Sequence, residues 1–237
     1  GQGNSMAVAR ANARLALQLA IGELQKKAGP DQRITAPANL VNNTASAGIT
    51  GVWKSWRPPV GNADYTSPKT GTNFLGYLMS NPNPAALPDP KVVTSGSSKI
   101  QQLVGPKSVG SGNASREIGA PLVSLSSGKP NIAAGAVSWV TLDEGVKGRI
   151  DLLPAREATG LGDSVTLVGA PARNGFETVE KMDFLKAKND QLRLSLPKLI
   201  SLNEANLQAN TADATKQYFH DFTVSSSSLQ VDVANGG

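Results

Sequence analysis

One stretch constrains the fold more than any other. The run from Ser5 to Ala28 carries the start, body and stop signals of a single long helix. Ser5 offers a hydroxyl that can accept from a free N–H of the first turn. Ala7, Ala9, Ala11, Ala13, Ala16 and Ala20 are strong helix formers. Lys26 and Lys27 suit the negative end of the helix dipole. Gly29 can take the left-handed conformation after the last turn, and Pro30 cannot continue the helix. At ~1.5 Å per residue the element is on the order of 35 Å long.

The helix is apolar over much of its circumference. Ala13, Leu17, Ala20, Leu24 and Ala28 recur at steps of three or four and share one face. Arg10, Arg14 and Gln18 form a polar stripe, while Leu15, Leu19 and Ile21 widen the apolar side. A face that wide is buried somewhere. Two burials are open: against a sheet of the same subunit, or against neighbouring subunits. The candidate assembly residues are therefore Ala13, Leu15, Leu17, Leu19, Ala20, Ile21 and Leu24.

From Asp31 to about Ala136 short β-capable runs sit among Gly, Pro, Ser, Asn and Thr. Gly51 to Trp56, Phe74 to Met79, Lys91 to Thr94, Lys99 to Val104 and Pro121 to Leu125 are expected strands. The second half reads as more regular. Val137 to Leu142 is an expected strand, and Asp143-Glu144-Gly145 an expected hairpin turn. In Val146 to Leu152 alternation puts Val146, Ile150 and Leu152 inward and Lys147, Arg149 and Asp151 outward. Ser164 to Val168, Leu192 to Leu196 and Leu229 to Val233 are further strand candidates. Glu177 to Lys188 and Thr211 to Phe219 have helical spacing. The fold class is thus α+β: a long N-terminal helix, residues 1–29, packed on a β-rich and mainly antiparallel body, residues 30–237, with a subdivision near residue 136.

The residues that usually carry chemistry are scarce. The chain has one histidine and no cysteine, which leaves no disulfide framework and no zinc site of the usual kind. His220 stands beside Asp221 and near Ser225 to Ser228, but sequence neighbours rarely adopt triad geometry and there is no Gly-x-Ser-x-Gly elbow. Asp143-Glu144 is the best acidic pair, in a place where a turn explains it. Gly160-Leu161-Gly162-Asp163 lacks the rest of a dinucleotide fingerprint. No cofactor is implied, and the reading is not that of an enzyme. A net charge of +5, scattered rather than clustered, gives no nucleic-acid footprint. Trp53 and Trp56 form a candidate platform for sugar or peptide, which keeps a surface adhesin or carbohydrate-binding module as the alternative.

Ala9 to Gln25, followed by Gly29-Pro30-Asp31-Gln32-Arg33, resembles the start of pilin-like and pseudopilin-like proteins of verrucomicrobial bacteria. The similarity continues in order through Gly51 to Trp56, Phe74 to Ser80, Trp139-Val140, Asp143 to Lys147, His220 to Thr223 and Asn235-Gly236-Gly237. The resemblance implies a structural subunit of a type IV pilus-like filament or type II secretion pseudopilus, at the cell surface, secreted or in the periplasm. It implies homo-oligomeric or other pilin-like partners. It also implies that the helix continues upstream into an apolar segment in the inner membrane, absent from this sequence, and that the chain extends beyond Gly237. It supplies no catalytic residue.

Overall fold

A computed structural model describes residues 2–30, 32–41, 45–55, 73–88, 90, 99–126, 128, 133–151, 160–161, 175–185, 195–208 and 213–225. The fold is mixed α+β, an N-terminal helix with antiparallel sheets. It divides into two compact units, residues 1–143 and 144–237.

The first unit begins with α1, Gln2–Ala28. Three strands come next, β1 (Arg33–Pro37), β2 (Thr50–Lys54) and β3 (Phe74–Tyr77), paired antiparallel in that order. The central strand β2 is buried at Thr50, Gly51, Val52 and Trp53, as a strand covered on both faces requires. Gly51 has a packing reason. A β-carbon there would lie 2.6 Å from the Trp53 ring, so the indole folds back over the glycine. Trp53, Phe74 and Tyr77 pack in a chain with ring centroids 5.1 and 5.0 Å apart.

Beyond β3 the backbone changes partner. Leu78 N–H still donates to Thr50 C=O at 2.8 Å, but Ser80 N–H donates to Trp139 C=O at 2.9 Å, and Thr141 N–H to Leu78 C=O at 2.9 Å. Ser80, fully buried, donates its hydroxyl to Pro121 C=O at 2.6 Å and accepts from Trp139 N–H at 3.2 Å. These bonds fix Trp139 beside two antiparallel pairs. One joins β4 (Ile100–Val104) to β5 (Ile118–Pro121); the other joins β6 (Val123–Ser126) to β7 (Ala133–Val137).

In the second unit, β8 (Gly148–Arg149) pairs parallel with β9 (Phe222–Thr223) over a core of Ile150, Met182, Leu185, Leu196, Leu199 and Phe222. The helix Leu202–Gln208 contributes Ala205 to the same core. Arg149 donates to both oxygens of Asp151, at 2.6 and 2.8 Å. That bond and the carboxylate charge hold the guanidinium above its ordinary pKa.

Several expectations are corrected here. The described residues 137–151 form no hairpin. Val140 bridges to Met79, and Glu144–Val146 is a turn of 3-10 helix. That turn shifts the phase of the residues after it. Val146 is 55% exposed, while the Lys147 side chain is 6% exposed, paired with Glu144 at 2.6 Å and lying 5.0 Å over the Phe219 ring. The helix expected from Glu177 is broken into two 3-10 turns, Phe176–Thr178 and Asp183–Leu185, by Lys181 at φ 62°. Near Thr211–Phe219 the described part holds only the 3-10 turn Lys216–Tyr218. The strands expected at Lys91–Thr94, Ser164–Val168 and Leu229–Val233, and residues 192–194 of another, lie outside the described residues.

Candidate assembly face of the long helix

α1 rests on β7 and β1. The stripe it turns to the body is Asn12, Ala16, Ala20, Glu23 and Lys27, buried or half-buried at steps of three and four, with half-buried Leu15 beside it. Its centre is a small core of Ala16, Val137 and Trp139, with Ala20, Val123 and Leu125 packed around it. Small side chains at residues 16 and 20 bring the helix axis close to the strands. Gly135, at φ 100°, leaves room for the Asn12 side chain: a β-carbon there would stand 2.6 Å from Asn12 Nδ2.

The C-terminal end of α1 is tied down by polar contacts. Lys27 Nζ donates to Tyr77 C=O at 3.1 Å and lies 3.4 Å from a Glu23 oxygen. Arg33 Nε donates to Lys27 C=O at 3.1 Å, and Gly29 N–H to Gln25 C=O at 3.0 Å. Two of the carbonyls left over at a helix end are thereby satisfied.

The rest of the helix surface is open. Residues 3–11 are all exposed. Met6 is 63% exposed, Leu17 62%, Ile21 46% and Leu24 37%. With Ala13, also exposed, these residues succeed one another at steps of seven, four, four and three. They form one apolar stripe next to the body-facing one, ~27 Å long at the usual helical rise. Val8 and Leu19 are exposed elsewhere on the same helix.

The seven expected face residues therefore separate. Leu15 and Ala20 are half-buried on the body side; Ala13, Leu17, Leu19, Ile21 and Leu24 are exposed. The residue that anchors the helix, Ala16, was not among them. The available signal was the series Asn12, Ala16, Ala20, short side chains at steps of four, which suits close approach to a strand.

The tryptophan platform is corrected. Trp53 is 2% exposed, with its ring packed on Phe74, so it presents no face to a ligand. Trp56 lies outside the described residues. His220 is half-buried, edge-on to Phe219 with centroids 5.0 Å apart. Among the described residues no group of three or more His, Cys, Asp or Glu is placed to hold a metal ion. No described helix is long and apolar enough to cross a membrane.

A cleft of about 530 Å³ runs beside the last turns of α1, between Leu19, Glu23 and Lys27 on the helix, Leu75 on β3, and Met79 and Trp139 just past the ends of β3 and β7.

No protein-family model matches this chain, and neither a curated protein nor a solved structure matches it.

Proposed function

We propose that this chain is a structural subunit of a pilus-like filament or secretion pseudopilus, assembling through α1 with copies of itself or with similar subunits. The observation that carries the reading is the stripe Met6, Ala13, Leu17, Ile21 and Leu24, exposed on a helix whose adjacent stripe is already committed to the body. Water contact along such a stripe is unfavourable, and a helix apolar on more than one side gains by burying the second side as well. The sequence resemblance to pilin-like proteins supports the same reading. It points to assembly at the cell surface or in the periplasm, with an apolar continuation of the helix in the inner membrane.

A contact between α1 of one subunit and a different surface of the next is heterologous, and repeats into an open array when its rotation does not close. Electron microscopy of the native, cell-derived protein at near-physiological salt tests the proposal. Regular filaments are expected. Dispersed single particles at the concentrations found in the cell envelope would contradict it.

A further inference from the structure

We propose that the cleft beside the last two turns of α1 binds a small amphipathic carboxylate, an aliphatic or aromatic body ended by one acid group. The cleft measures about 530 Å³, inside the range of roughly 300–1,000 Å³ usual for small-molecule sites. Its walls are apolar, with Leu19, Leu75, Met79, Leu87, Val123 and Trp139 among the lining residues. Met79 and Trp139 are 2% and 9% exposed, so that wall belongs to the core and is already in place before a ligand arrives.

The charged residues on the cleft are Lys26, Lys27 and Arg33 against Glu23 alone. Glu23 lies 3.4 Å from Lys27 and 3.9 Å from Lys26, so one carboxylate is shared between two ammonium groups. Arg33 is held through Nε by the Lys27 carbonyl at 3.1 Å, which fixes a planar donor at the rim. A guanidinium binds a carboxylate through paired hydrogen bonds. An apolar wall with surplus positive charge selects an anion carried on an apolar body, and disfavours a cation of the same size.

The same charge argues against α1 of a second copy as the occupant. Its projecting half carries Arg10 and Arg14 with no acid before Glu23, and ends in the positive pole of the helix dipole. The proposal therefore stands apart from the assembly reading.

Calorimetric titration of the full chain with dodecanoate, below its micellar concentration and at low salt, tests it. Dodecyltrimethylammonium, with the same tail, is the control. Dodecanoate is expected to saturate a single site and the ammonium compound to leave no isotherm. Arg33→Gln should weaken dodecanoate about tenfold, the scale of one charge-assisted hydrogen bond. Leu87→Asp should abolish binding; Leu87 is 59% exposed, so that variant keeps its fold, as circular dichroism would verify. No dodecanoate binding, equal binding of both amphiphiles, or unchanged affinity in Leu87→Asp would each overturn the proposal. So would dissociation of an oligomer by Leu87→Asp without dodecanoate, which would assign the cleft to a second copy.

Discussion

Asn12 Nδ2 stands 2.6 Å from the point where a β-carbon on Gly135 would sit. The amide fills the space that the missing side chain leaves, on the strand that α1 packs against. Gly135 also has φ 100°, a conformation that side-chain-bearing residues rarely adopt. Gly135→Ala therefore meets both a clash and a strained backbone. It should lower stability by roughly 1–3 kcal/mol. Hydrogen exchange should show faster opening of residues 12–20, because the helix must lift from the sheet. Unchanged exchange there would contradict the packing described.

Gly22 is the opposite case. It lies in the same helix, is exposed, and a β-carbon there meets nothing within 4 Å. Gly22→Ala should raise stability by about 0.8–1 kcal/mol through helix propensity alone. Thermal unfolding by circular dichroism reads this directly, and a loss of stability would mean that residue 22 is already covered.

Trp53 packs in the core at 2% exposure, against Phe74. Trp53→Ala should cost roughly 3–5 kcal/mol, through lost burial and the cavity left behind. Urea unfolding followed in the far ultraviolet measures it. A variant as stable as the parent would return Trp53 to the surface and reopen the platform reading.

In the second unit Met182 is fully buried among Ile150, Leu185 and Phe222. Met182→Ala should cost roughly 2–5 kcal/mol. Near-ultraviolet dichroism should weaken at the same time, since Phe176 and Tyr218 each pack on Phe222 of that core, with ring centroids 4.9 and 5.1 Å apart.

The long helix was legible because its signals are local and mutually consistent: alanines, a basic last turn, then Gly29-Pro30. β2, β3 and β4 were legible for a similar reason, as short apolar or alternating runs between turn residues. β1 was not, because Arg33–Pro37 is short and ends in proline. β7 was not, because Ala133–Val137 is mostly alanine and glycine, residues of low strand propensity that are retained here beneath a helix. The false hairpin at residues 143–145 had the right turn chemistry. Val140, however, finds its partner at Met79, distant in sequence, and local pattern carries no information about that choice. The helix expected at Glu177 had the right period, but Lys181 at φ 62° interrupts it without any glycine to announce the break. On α1 the sequence showed how much surface was apolar. It did not show which stripe the body would take, because small residues at 12, 16 and 20 compete with larger ones at 17, 21 and 24, and here shape outweighs hydrophobicity.

Whether α1 is an assembly surface is decided by sedimentation velocity of the parent chain beside a Leu17→Gln, Ile21→Gln, Leu24→Gln triple variant. All three residues are exposed, so the variant should fold with unchanged circular dichroism. Assembly through α1 predicts that the parent sediments as concentration-dependent oligomers and the triple variant as a monomer at the same concentrations. Identical sedimentation of the two proteins would contradict it.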